Sequence, residues 1–342
     1  MGLRTSSIED DDFAFITYHN KGLSSATETH SREGEEEKNE DLLRVRRDAF
    51  WSYCGPLLEP DGTQLPPSLG EWSAAALTGS VLGRLLPFLA FVNGFIAERG
   101  LDHYWLTIRA TTPTAEYDRP RWHTDDMFFS RTSELSSSTP PQPKSWWSFS
   151  KPKGEEAVGH DGQQQQQQLD LETDWKVCTT LLGPSTLFVP APHQPHAREC
   201  QRLAKEASRR ANDHACHSIR CVGCATAADA VRLDLDGSLR DLGVVQAGPG
   251  QCAFFRIGPE RGAVHSEPCM NGGAAEVDGD TGDGSRGRGR IFVNVVPGRR
   301  EELERLVGKW GMEFPRSWWI APSSSVVSPC SATRRSGGGD GG

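Results

Sequence analysis

Residues 121–129 read Arg-Trp-His-Thr-Asp-Asp-Met-Phe-Phe (RWHTDDMFF), and the fold turns on whether this stretch is extended. On a strand, side chains two positions apart point the same way, so His123 and Asp125 can reach a single ion while Asp126 points away from it. A neutral imidazole beside a carboxylate suits ferrous iron, and a second histidine completes a two-His-one-carboxylate set that leaves open coordination positions. The spacing by itself is cheap: with 10 histidines and 46 acidic residues in 342, about one H-x-D/E is expected by accident. The chain holds another at His265-Ser-Glu267. Order and context select among them. His265 follows an apolar strand and a short turn (CAFFRIGPERGAVH), where a strand end can present it to a site, and Arg290 opens a last strongly β-prone run, RIFVNVV.

Outward from this stretch, the chain alternates between apolar and polar tracts. Towards the N-terminus, HYWLTIRA (103–110) has the aromatic and β-branched content of a strand. Before it, 70–99 reads as helical, started by Ser68 or Gly70, divided by Pro87 and ended by Gly100. Residues 1–45 form a polar, acidic tail in which DFAFITYH is the one candidate strand. Towards the C-terminus, 131–172 is a low-complexity insertion with six consecutive glutamines. Trp175–Val189 then gives two β-rich runs around a Gly-Pro turn. A helical, Cys-rich insertion covers 196–232, with a surface helix over 196–212. Gly243–Arg256 reads as two strands around Gly-Pro-Gly, 271–289 as a Gly/Asp loop, 299–309 as a closing helix and 323–342 as a loose tail. These runs predict a mainly β protein with flanking α-helices, one domain over 46–322.

In this order, His123, Asp125, His265 and Arg290 resemble the pattern of the Fe(II)/2-oxoglutarate-dependent oxygenase superfamily. The resemblance covers roughly residues 100–300. It implies a double-stranded β-helix (jelly roll), Fe(II) held by His123, Asp125 and His265, and a salt bridge from Arg290 to the far carboxylate of 2-oxoglutarate. A guanidinium fork matches a carboxylate bidentately, which makes that bridge physically apt. Arg286 and Arg288 compete for the Arg290 role from flexible sequence, and Lys176 is a reserve partner for the cosubstrate carboxylate. The implied activity is a dioxygenase that couples decarboxylation of 2-oxoglutarate to oxidation of a substrate. Arg109, Trp122 and Met127, with Trp105 and Phe128, lie near the ligands in sequence and are the candidate substrate-binding residues. Two other readings stand beside this one: a jelly-roll scaffold without catalysis, and a cupin-like metalloenzyme that does not use 2-oxoglutarate.

Composition narrows the field of partners. A net charge of −9 argues against a nucleic-acid binder, which needs a basic face, and leaves small-molecule or protein substrates. The longest uncharged apolar run, Leu85 to Ala97, is too short and broken to span a bilayer. No apolar signal precedes the acidic N-terminus, so a cytoplasmic protein with reduced thiols is expected, although Gly2 and Ser6 fit a loose myristoylation pattern. Cys216, His217, Cys221 and Cys224 form a tight cluster of a kind that binds zinc, but without the second pair of a finger.

Overall fold

The computed structural model describes residues 12–18, 43–114, 119–129, 174–211, 221–270 and 288–321. In chain order the strands are β1 (Phe13–Thr17), β2 (Arg44–Val45), β3 (Ala49–Pro56), β4 (Leu77–Thr78), β5 (His103–Thr111), β6 (Trp175–Leu182), β7 (Leu187–Phe188), β8 (Val245–Gln246), β9 (Gln251–Arg256), β10 (His265–Ser266), β11 (Arg290–Gly298) and β12 (Arg316–Ile320). The helices are α1 (Pro67–Ala76), α2 (Leu82–Ala97), α3 (Gln194–Ala211), α4 (Val222–Leu239) and α5 (Arg300–Gly308). Seven strands form one antiparallel sheet in the order β1-β9-β6-β11-β5-β3-β12, and a shorter sheet runs β10-β7-β8. The mainly β expectation therefore holds at the level of a large antiparallel sheet with several helices packed on it.

β11 lies at the middle of the long sheet, paired with β5 and β6, as its near-continuous apolar sequence predicts. Its alternate residues Ile291, Val293 and Val295 join Leu106 and Ile108 of β5 and Phe254 of β9 in the main core, against Leu85, Phe88, Leu89, Val92 and Phe95 of α2. The opposite face meets the short sheet. There Cys178, Ala253 and Phe255 pack with Phe188 of β7, and Phe13, Phe15 and Phe292 close around them. A third layer lies behind the short sheet. Ala197 and Ala204 of α3 and Val231, Leu235 and Leu239 of α4 bury Val189, Val264 and Trp122.

Several sequence expectations need correction. The 70–99 helical run is two helices, but the break falls at 77–81, where Leu77 and Thr78 pair with Val45 and Arg44. Pro87 sits inside α2, costing a backbone hydrogen bond but not ending the helix, whereas Gly100, at φ 71°, follows it as expected. The two strands expected around Gly-Pro-Gly are present as β8 and β9, although they do not pair with each other. β8 pairs with β7 in the short sheet while β9 crosses to the long sheet, between β1 and β6. The 196–212 helix is not merely superficial, because Gln194, Ala197, Gln201 and Ala204 are buried. The helical insertion extends past 232, since α4 runs to Leu239. β12, not singled out in the sequence, forms one edge of the long sheet against β3. The candidate strand in the N-terminal tail is real and forms the other edge. The polyglutamine stretch, Arg286 and the Gly2 pattern lie outside the described residues. No helix among the described residues is long and apolar enough to cross a membrane.

Phe254 has no exposed surface and its ring lies 4.2 Å from Phe95 and 5.4 Å from Trp175. Phe254→Ala is expected to cost about 3–5 kcal/mol in chemical denaturation. A loss below about 1 kcal/mol would contradict the assignment of this face as the main core.

Candidate metal centre

His123 sits on a short extended segment that forms an isolated antiparallel bridge with His265. Each residue's backbone N–H donates to the other's carbonyl, both at 2.9 Å. Directly opposed residues in such a pair point to the same side, so the bridge aligns the two imidazoles, whose ring centroids are 4.4 Å apart. Asp125 follows two positions later, and its backbone carbonyl accepts from Gly258 N–H at 2.8 Å. Gly258 adopts φ 97°, and a Cβ there would stand 2.8 Å from Met127 Sδ. Glycine thus lets the 123–127 segment close onto the loop before β10.

The ligand atoms of His123, Asp125 and His265 lie within 4.8 Å of one another, which is metal-binding distance. His123 Nε2 is 4.0 Å from Asp125 Oδ1, and His265 Nε2 is 3.5 Å from Asp125 Oδ2. Ligands about 2.1 Å from an ion and roughly 90° apart stand about 3 Å from each other, so small side-chain shifts suffice to close on an ion. Tautomers are settled by the backbone. His123 Nδ1–H donates to Arg121 O at 2.7 Å and His265 Nδ1–H to Ala263 O at 2.9 Å, which leaves both Nε2 lone pairs facing the shared space.

Charge states match this donor set. Burial, with the nearby His123, pushes His265 down to about 4, so it is neutral near pH 7. Burial alone would raise Asp125, but Lys176, His265 and His123 outweigh it and hold the carboxyl well below the usual range. Lys176 Nζ donates to Asp125 Oδ2 at 2.7 Å from β6. The reserve cosubstrate-binding lysine is therefore engaged with a metal-ligand candidate. Arg290 is almost fully buried at the start of β11. Its Nε donates to Pro184 O at 2.9 Å and one terminal nitrogen to Thr186 Oγ1 at 3.1 Å, while the guanidinium stacks over Phe292. Gly183 (φ 82°) makes room for it, since a Cβ there would come within 3.3 Å of Arg290 Cβ.

The substrate-binding candidates divide. Arg109 on β5 lines a cavity together with Arg121, Glu267 and Arg290. Met127 packs in the cluster between the sheets. Trp122 does not reach the centre: it lies in the layer under α3 and α4, because its neighbours on both sides in the alternation face the other way. Glu267 reads in the sequence as part of a chance repeat, yet the spacing that pairs His123 with Asp125 also sets it two residues beyond His265. Gln194 carried no sequence signal. Its buried side chain donates to Val189 O and Val264 O and accepts from Val264 N–H, tying α3 to the strand that carries His265. Cys216 and His217 lie outside the described residues, and among the described residues no disulfide forms. Comparison of the chain with protein-family models, with curated proteins and with solved structures found no match.

Loss of His265 or Asp125 to alanine is expected to weaken Mn(II) binding by more than the roughly 10–100-fold that removing an outer partner costs. Calorimetric titration checks this, and near-wild-type affinity in either variant would remove the triad as the metal site. The low His265 value also has a sign in stability. The unfolded chain takes up this proton near pH 6.5 and the folded chain only near 4, so the metal-free protein loses stability as pH falls through that window. Urea midpoints between pH 7 and 4 should fall less steeply in His265→Asn than in the wild type.

Proposed function

We propose that this chain is an Fe(II)- and 2-oxoglutarate-dependent oxygenase built on a double-stranded β-helix. The observation that carries the reading is the convergence of His123, Asp125 and His265, with both Nε2 lone pairs free and Asp125 ionised. Two imidazoles and one carboxylate converging on one space are the donor set expected for ferrous iron with open positions. A long antiparallel sheet packed on a short one, with His265 of the short sheet bridged to His123, supports the jelly-roll part of the reading.

Bound iron with 2-oxoglutarate supplies an oxidant able to attack a substrate C–H bond. The chain's own part is binding and placement. His123 and His265 are each held by a carbonyl at Nδ1, so Nε2 of both rings is the atom offered to an ion. Lys176 keeps Asp125 charged and fixes one of its oxygens. Arg290, held by Pro184 O and Thr186, is a pre-positioned cation for the far carboxylate of the cosubstrate, in a setting where burial strengthens the pair. The apolar residues between the sheets, among them Phe188 and Phe255, pack around His265 and bury that side of the centre.

Purified protein with Fe(II) and 2-oxoglutarate is expected to release succinate, and chelation to abolish it. Arg290→Gln should raise the KM for 2-oxoglutarate by at least about 30-fold, as the loss of roughly 2–5 kcal/mol from a buried charge pair implies. Arg290→Lys should lie between the two. Turnover that continues without 2-oxoglutarate, or without metal, would overturn the proposal.

A further inference from the structure

Side chains alternate along the two segments that carry the metal-ligand candidates. His123, Asp125 and His265 face the centre, so Trp122, Thr124 and Val264 face the other way, onto α3. The helix meets them with one stripe, in which Gln194, Ala197, Gln201 and Ala204 are buried. Gln194 and Gln201 are seven positions apart, close to two full turns. Both amides therefore leave the helix in nearly the same direction, about 10.5 Å apart along its axis. Gln194 grips the segment of His265. Its amide donates to Val264 O at 3.1 Å and accepts from Val264 N–H at 2.7 Å, as a neighbouring strand would. Gln201 grips the other segment, donating to Thr124 Oγ1 at 3.1 Å. One helix thus holds the residue before His265 and the residue between His123 and Asp125.

Stability does not explain the choice of Gln201. Its side chain is buried, and its Oε1 has no hydrogen-bond partner among the described residues. An unmatched buried carbonyl is costly, and a leucine would cover the same helix face without one. What a leucine could not do is hold Thr124. The His123–His265 bridge is a single residue pair, which puts both imidazoles on one side but does not by itself fix the tilt of the segments. Gly258 N–H on Asp125 O and Arg121 N–H on Ser266 Oγ steady the flanks. The face turned away from the centre is left to α3. We infer that α3 is a positioning element of the metal centre, in which Gln194 and Gln201 set from behind the spacing and tilt at which His265 meets His123 and Asp125. Neither glutamine is a ligand; each acts through the segment it holds.

The inference rests on the metal centre of the proposed oxygenase and not on its use of 2-oxoglutarate. The full chain is titrated calorimetrically with Mn(II) at a temperature where circular dichroism shows each variant folded. Gln201→Leu should bind Mn(II) about tenfold more weakly, the lower end of what losing an outer partner of a metal ligand costs. Its metal-free urea midpoint should equal or exceed that of the wild type. Thr124→Val, which removes the hydroxyl at nearly constant volume, should lose as much affinity, and Thr124→Ser should keep it. The Gln201→Leu/Thr124→Val double variant should bind no more weakly than the weaker single, because the two changes remove one contact. Gln194→Leu, which strips three hydrogen bonds from Val189 and Val264, should cost more. The Gln201 and Thr124 variants decide the matter even where Gln194→Leu does not fold. Wild-type affinity in either Gln201→Leu or Thr124→Val overturns the inference, whatever happens to stability. So does a Thr124→Ser that binds as weakly as Thr124→Val. A wild-type chain that binds no Mn(II) overturns the metal centre and this inference with it, whereas one that binds the ion but forms no succinate removes the oxygenase reading alone.

Discussion

Two backbone hydrogen bonds between His123 and His265, each 2.9 Å long, are the constraint on which the rest of the centre depends. They join segments that are distant in sequence and belong to different parts of the fold. Because the pairing is antiparallel and the residues are directly opposed, both imidazoles must leave the backbone on the same side. Asp125 inherits that side from the pleat. No side-chain interaction is needed to choose it, which is why the site's geometry follows from strand pairing. The supports around the bridge act on the backbone too: Gly258 N–H on Asp125 O, Gln194 on Val189 and Val264, and Arg121 O and Ala263 O on the imidazole Nδ1 atoms.

The parts of the centre that were legible in the sequence are those governed by period-two alternation or by adjacency to an apolar run. His123 and Asp125 belong to the first kind, and Arg290, which abuts RIFVNVV, to the second. His265 was legible because a strand and a tight turn lead into it. Trp122 misleads for a related reason. Nearness in sequence suggested the site, but the alternation that brings His123 and Asp125 together turns Trp122 to the layer beneath α3 and α4. Lys176 reads in the sequence as a reserve partner for the cosubstrate carboxylate. Sequence could not say that the carboxylate would be Asp125, because the two come from segments separated by an insertion.

The fold shows the same division. Strands β5, β6 and β11, which carry the strongest β signal, are where the sequence puts them. What sequence hides is pairing. The Gly-Pro-Gly turn between β8 and β9 is legible as a turn between strands, but that it carries the chain from the short sheet to the long one is not. The break between α1 and α2 is set not by Pro87 but by Leu77 and Thr78, which pair with Val45 and Arg44 at the end of the N-terminal tail. In each case a long-range partner overrides the local signal.

The Lys176–Asp125 pair bears on why the centre is polar at all. A buried ion pair recovers little net stability, because desolvating both charges offsets most of their attraction, and well-packed apolar replacements are often as stable. Stability therefore does not account for a lysine placed 2.7 Å from this carboxylate. Its effect on Asp125 does. Burial is the largest influence on that carboxyl and acts to protonate it, and Lys176 is the largest influence in the other direction. Without the ammonium, the buried acid would move towards its neutral form, which is a poor metal ligand. The same ammonium occupies Oδ2 and leaves Oδ1 towards His123, so it sets both the charge and the orientation of the one anionic donor in the triad.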